Sequence, residues 1–255
     1  MALSWFFDFN IGYIHNIHTY TANRDNNNMQ AIFLYISIII IIALAFLLVS
    51  HYISYSRIST AELRILQSEH PMPDVIESMM NQKLPIIFLY ELELWDGVDE
   101  MIGHSSTDIA EVMKDNTVLI NNIKKIYLKP YTLPLTKDWT INLKTQADTW
   151  DKLPIKPQLQ GAYNYLLANL TGLMMVCLIS PKHRDLINKP ETDFKQALAA
   201  DDIANTDAGG LDYITIPIRP SNMLSIPYGW YYYIYCGQSD SYCTYLEMTN
   251  KTWFN

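Results

Sequence analysis

The sequence predicts a mainly β domain, a sandwich or barrel of short strands with helices toward its N-terminal side, carried behind one membrane-spanning helix. Two observations predict it. Residues 31–50 read AIFLYISIIIIIALAFLLVS, without a charge, proline or glycine. That is about the twenty residues an α-helix needs to cross a hydrocarbon core roughly 30 Å thick. A helix apolar on every side has no wet face to offer a soluble fold. Beyond it, short apolar or alternating runs recur between proline, glycine and asparagine signals, as in WTINLKT, DYITIPIRP and YCTYLEMTNKTWF. That is the pattern of an all-β sandwich or barrel. The chain thus divides into an aromatic tail over 1–29, the span over 30–52, a short helical connector over 53–83 and the β domain over 84–255.

The tail carries Trp5, Phe6, Phe7, Phe9, Tyr13 and Tyr20. Trp and Tyr favour the headgroup level of a bilayer, so Trp5, Phe6 and Phe7 read as an interfacial or partner-binding segment, with a disordered tail as the other reading. The opening MALSWFFDFN lacks a basic n-region, and the apolar run starts too late for a cleavable signal, so the span is expected to persist. Arg24 precedes the span, and Arg57 and Arg64 follow it; the positive-inside rule then faces the domain to the cytosol. The sequons at Asn169 and Asn250 point the other way, but both sit in strand-like context.

After the span, Ser59 and Glu62 have the spacing of a capping box and predict a helix AELRILQSEH that stops at Pro71 and Pro73. DVIESMMNQK predicts a second helix. LPIIFLYELELW (84–95) reads as a strand, with Glu91 and Glu93 on one face. Residues 108–115 read as a helix capped by Ser105 or Thr107, and VLINNIKKIYLKPYTLPL and WTINLKT as short strands. The apolar run 164–180, broken at Thr171-Gly172, predicts two strands and a tight turn. Residues 182–200 read as largely helical, and Gly209-Gly210 as a loop. The chain closes in strands. In the run 230–235, period-2 alternation puts Trp230, Tyr232 and Ile234 on one face and Tyr231, Tyr233 and Tyr235 on the other. The second face, if outward, is a tyrosine ladder suited to protein contact; the alternative is that the chain's own helices cover it.

The net charge of -8 excludes the basic face of a nucleic-acid binder. Three cysteines are too few for a disulfide framework. Cys236 and Cys243 flank a candidate hairpin, which leaves a cross-strand disulfide or two reduced thiols open. There is no P-loop, G-x-S-x-G elbow or C-x-x-C. His183-Arg-Asp185 is followed by no further histidine, so it reads as a solvated loop. His15 and His18 are three apart, as metal ligands can be, but have no third ligand in view, and His51, His70 and His104 make no metal site either. Glu91 and Glu93, and the adjacent Asp201 and Asp202, read as solvated or paired carboxylates.

Two segments carry a resemblance. MLSIPYGWYYYI (223–234) resembles the hxxIPxxWxHxh strand of JmjC-type cupins, and LQGAYNYLLANLTGLMMVCLISP (159–181) resembles the HxDxxxNhhxxhxGxKxhxLhxP core of the same family. Those proteins are iron- and 2-oxoglutarate-dependent hydroxylases, and the resemblance implies a double-stranded β-helix, a jelly-roll barrel. It also implies where ligands would lie. The two histidine positions and the carboxylate position fall at Leu159, Tyr232 and Gly161, and the lysine for 2-oxoglutarate at Met174. None of these can take part in a facial triad of two imidazoles and a carboxylate, or pair with the cosubstrate.

The expectation is therefore a non-catalytic, pseudoenzyme-like structural protein without metal or cofactor. It would contact partners through Tyr231, Tyr233 and Tyr235 and through Trp5, Phe6 and Phe7. Its Asn-, Ile-, Tyr- and Lys-rich style resembles products of AT-rich genomes such as those of large DNA viruses. The expected role is then a minor capsid component linking a virion's internal membrane to its shell, with a lipid bilayer and capsid or membrane proteins as partners. The alternative is a membrane-tethered Fe(II)/2-oxoglutarate oxygenase with displaced ligands, for which His104 and His183 are available. A third reading is a small-ligand or lectin-like receptor.

Overall fold

A computed structural model describes residues 24–56, 63–132, 136–148, 153–154, 157–162, 164–187, 213–237 and 242–251. Two compact units divide the chain, Met1–Ser54 and Tyr55–Asn255. The first holds α1 (Arg24–Ser56), a helix of 33 residues. Its stretch Ile32–Ser50 is long and apolar enough to cross a bilayer, by length and composition. The side chains from Ile32 to Ser50 are exposed all round, as a helix without a wet face requires of its surroundings.

The second unit is mainly sheet. Its elements are β1 (Leu66–Glu69), α2 (Pro73–Asn81), β2 (Ile86–Leu89), α3 (Ser106–Asp115), α4 (Thr117–Asn122), β3 (Thr140–Gln146), β4 (Gln158–Leu159), β5 (Asn164–Thr171), β6 (Met174–Ile179), α5 (Arg184–Ile187), β7 (Tyr213–Ile218), β8 (Met223–Ser225), β9 (Tyr231–Cys236) and β10 (Cys243–Asn250). One sheet has the order β1-β2-β8-β5-β10-β3 and the other β4-β9-β6-β7. From β3 onward the strands fall in two four-stranded antiparallel halves, β3-β10-β5-β8 and β4-β9-β6-β7, and successive strands change sheet except at the β6–β7 pair. This is jelly-roll connectivity, consistent with a cupin-like fold. β1 and β2 extend the first sheet beyond β8 as a parallel pair.

Three apolar layers hold the sandwich. Leu167 and Tyr165 of β5 and Tyr245 of β10 meet Val176, Leu178, Trp230 and Tyr232 of the facing sheet. The next residues along, Leu166, Ala168, Leu170, Leu246 and Met248, face the opposite way against Ile109, Met113, Leu119 and Ile123 of the helical segment. The sheet buried on both faces therefore reads as continuous rather than alternating apolar sequence. The third layer lies outside the smaller sheet, where Leu153 and Ile187 pack on Cys177, Ile179, Tyr231 and Tyr233.

Several local expectations hold. Ser105 caps α3, with its side chain accepting from the Asp108 amide. β5 and β6 are the two expected strands, joined by a turn in which Gly172 has φ +72, and they enter different sheets. β7 to β10 lie in the predicted closing strands.

Others are corrected. The helix predicted from AELRILQSEH gives way over Leu66–Glu69 to a strand, because pairing with Ile86–Leu89 satisfies its backbone; Ser59 and Glu62 lie outside the described residues. The strand predicted over 84–95 stops at Leu89, where Tyr90 takes φ 57 and donates its amide to Asn222 Oδ1 at 3.0 Å. Glu91 and Glu93 follow on a 3-10 turn. VLINNIKKIY is helical, not extended: α4 runs into a π turn over Ile123–Tyr127. Asn116 caps it by accepting from the Leu119 amide at 2.9 Å, and Leu119, Ile123 and Leu128 recur on its buried face. Of the helix expected over 182–200, a 3-10 turn Pro181–His183 and α5 are described, and the rest, like Asp201, Asp202 and Gly209-Gly210, lies outside the described residues.

Asn169 and Asn250, the two sequon asparagines, are fully buried. The Asn169 amide donates to Gly172 O at 2.8 Å and Ile218 O at 2.7 Å, tying the β5–β6 turn to β7. Cys236 and Cys243 are buried thiols, and Cys236 Sγ donates to Gln146 O at 2.8 Å.

Candidate functional site

Where the β3 edge of one sheet meets the β4 edge of the other, a cavity of about 280 Å³ opens between them. β3 supplies Lys144 and Gln146, β4 supplies Gln158, β5 supplies Tyr165, and β10 supplies Tyr245 and Glu247. The strand pleat explains the set. Cys243, Tyr245 and Glu247 are spaced by two, and Tyr245 lies in the inter-sheet layer while Leu246 and Met248 face the helices.

A chain of hydrogen bonds runs from the core to this mouth. Tyr232 Oη donates to Tyr165 Oη at 3.0 Å, and Tyr165 Oη donates to Glu247 Oε1 at 2.7 Å. The two rings lie 5.3 Å apart. Lys144 Nζ stands 3.8 Å from the other carboxylate oxygen of Glu247. Burial pushes the Tyr165 hydroxyl far above its ordinary range, with Tyr232 and the Glu247 charge adding to it. Burial likewise raises Tyr232 and Tyr245, with the Glu247 charge adding. All three phenols are therefore protonated donors across the physiological range.

The positions implied by the family resemblance lie beside this cavity, in a register that separates them. Gln158 pairs with Tyr232, and Leu159 pairs with Tyr231. Tyr232 points into the inter-sheet layer, so its cross-strand partner Gln158 shares that face, while Leu159 turns outward and is 53% exposed. Gly161 is exposed, with open space where a Cβ would stand. Between them Gln160 is buried, its amide nitrogen donating to Ile226 O at 2.9 Å and its oxygen accepting from the Ala162 amide. Met174 is fully buried in the inter-sheet core. The inward face thus offers two neutral amides and a phenol, and Gln160 has both ends engaged. That donor set does not fit a facial triad of two imidazoles and a carboxylate. Among the described residues no three His, Cys, Asp or Glu side chains converge.

The displaced-ligand candidates do not come together either. His104 lines a separate surface groove beside the start of α3, with Glu100 and Asp108. His183 closes the 3-10 turn after β6, and burial lowers its pKa. Glu91, read from the sequence as solvated or paired, is buried and paired: it accepts from Tyr131 Oη at 3.1 Å.

The tyrosine ladder is corrected as a contact surface. Tyr231, Tyr233 and Tyr235 do share the outer face, but Tyr231 and Tyr233 are buried beneath Leu153 and Ile187, and Tyr213 and Tyr235 flank them. The chain's own segments occupy the face a partner would need. Trp5, Phe6 and Phe7 lie outside the described residues.

Glu247, Lys144 and Tyr165 were missed by motif reasoning. A signal for one of them existed. Glu247 stands two residues from Tyr245 on the inward side of an apolar strand, and a charge there is rarely left without a task.

No family model and no curated protein matches the chain. Solved structures that resemble it include two enzymes. One is the non-heme alpha ketoglutarate dependent epimerase SnoN from nogalamycin biosynthesis, with a TM-score of 0.40 and 8% identity over 71% of this chain and 84% of that one. The other is an N-substituted L-amino acid dioxygenase from Burkholderia ambifaria AMMD, with a TM-score of 0.35 and 11% identity over 69% of this chain and 85% of that one. Both are named as enzymes, and the expectation of a non-enzyme is corrected on that finding. At such identities and TM-scores the likeness assigns no reaction.

Proposed function

We propose that the chain is a membrane-tethered enzyme of cupin-like fold that binds a small organic molecule in the mouth between its sheets and moves a proton on it. Glu247 is the base, and Tyr165 holds it in place. The observation that supports this is the inward carboxylate of Glu247, fixed by a buried phenol at 2.7 Å and open to the cavity. Placing a carboxylate inside a sandwich costs desolvation, and here it is retained beside a void with its geometry set from behind. That is how a general base is positioned. Tyr232 and Tyr165 donate in one direction, so one Glu247 oxygen is occupied and the other faces Lys144 and the cavity. In this reading α1 holds the domain at a bilayer. The shell-linking role loses its main support, because the tyrosine face meant for a partner is covered.

The test uses the full chain in lipid nanodiscs, screened against small polar metabolites by thermal shift. A true ligand stabilises by mass action, about 2.7 kcal/mol at a hundredfold excess over Kd. In D2O, a ligand that raises the Tm should take up solvent deuterium at carbon. The uptake should vanish in Glu247→Gln and slow in Tyr165→Phe. Exchange that survives the Glu247→Gln substitution would overturn the assignment.

A further inference from the structure

This inference rests on reading the mouth as a ligand site and names what it takes. We infer that the cavity binds an uncharged, hydroxyl-rich molecule of about monosaccharide size and rejects dicarboxylates. The charge lining decides first. Among the described residues that line it, Asp148 and Glu247 stand against Lys144, and Lys144 already lies 3.8 Å from Glu247. Gln146 donates to Asp148 at 3.1 Å. A dianion entering here meets two carboxylates and a lysine that is already engaged. Its other natural anchor in the resembling family falls at Met174, a thioether sealed in the core.

The remaining lining suits hydroxyls. Gln158 presents an amide donor beside an amide acceptor, Gln146 keeps its oxygen and second amide hydrogen beside its bond to Asp148, and each carboxylate keeps acceptor lone pairs beyond the partner it already has. A hydroxyl both donates and accepts, so vicinal hydroxyls satisfy such pairs while a simple alkyl chain satisfies none. The rings of Tyr165 and Tyr245 supply an apolar wall for the carbon face of a sugar ring. Their hydroxyls stay protonated, so they add no charge. The volume, about 280 Å³, lies just under the roughly 300–1,000 Å³ typical of small-molecule sites, which favours one ring over a chain of them.

The experiment is saturation-transfer NMR and calorimetry on the full chain in phosphatidylcholine nanodiscs. The ligands are D-glucose, D-galactose, N-acetylglucosamine and myo-inositol, set against 2-oxoglutarate and succinate. The expected result is saturable binding of at least one polyol, insensitive to salt as an uncharged ligand must be. Gln158→Ala and Glu247→Gln should each weaken it at least about tenfold, while neither dicarboxylate binds. A polyol signal unchanged in both variants would overturn the inference by placing the binding elsewhere. Saturable 2-oxoglutarate binding that either variant alters would overturn the ligand class yet leave the mouth a binding site. Failure of all six compounds, beside hits of another class in the metabolite screen, would overturn the ligand class alone. A blank in both would overturn the proposed function as well.

Discussion

At the scale of one residue, Gln160 shows how the segment between the implied ligand positions is held by the fold itself. It stands between the implied ligand positions, and its amide closes one bond to Ile226 O and another to the Ala162 amide. It therefore fastens the chain after β4 to the chain after β8. Gln160→Leu would leave a buried acceptor and a buried donor unmet, at about 2–5 kcal/mol together, and a urea titration should show the midpoint falling accordingly. The buried phenols set a second expectation. Tyr131, Tyr165 and Tyr245 have their hydroxyl pKa raised by burial. An unfolded chain releases these protons first, near pH 10, so the stability they contribute is complete below that pH and is lost as pH rises above it. The urea midpoint should hold level from neutrality to about pH 10 and then fall, and Tyr165→Phe should make the fall shallower. A level midpoint well above pH 10 would contradict this. Cys177, whose thiol burial pushes up to about 12, should resist alkylation in the native state and react on unfolding.

At the scale of elements, the β5–β6 turn is the sharpest constraint. Gly172 combines positive φ with a site where a Cβ would strike Tyr242 O. Gly172→Ala should destabilise by about 1–3 kcal/mol, read as a drop in Tm with the fold retained by circular dichroism. This turn was legible beforehand, because a small pair interrupting an apolar run has few other meanings. The inward and outward sides of β9 were legible too, since a period of two leaves one choice of face. The segment 117–127 was not. Its isoleucines and valine favour strands locally, and only the larger sheet's outer face, assembled from distant strands, turns them into a helical stripe. β1 failed for a related reason: its partner lies about twenty residues on, beyond any local pattern. The candidate site was half legible. The resemblance pointed to β4 and β9, which do pair, but a one-residue offset in a strand exchanges its faces, and Gln158 rather than Leu159 shares the face of Tyr232. Lys144, Tyr165 and Glu247 come from three separate strands and form no motif.

At the scale of the molecule, the chain joins a helix with no polar side to a sandwich that buries its larger sheet on both faces. The helix sets a simple expectation. Ile40→Asp, at the middle of Ile32–Ser50, should oppose insertion by about 2.5–3.5 kcal/mol, and carbonate extraction should then release a larger share of the protein from membranes. The two buried asparagines carry a consequence for manufacture rather than for stability. Oligosaccharide transfer acts on a chain as it emerges, before β5 has found β10 and β8. A glycan on Asn169 would occupy the place where its amide must reach Gly172 O and Ile218 O, and no rearrangement of a filled core accommodates it. In a cell that glycosylates such sequons, modification of Asn169 and closure of the β5–β6 turn therefore compete for one side chain.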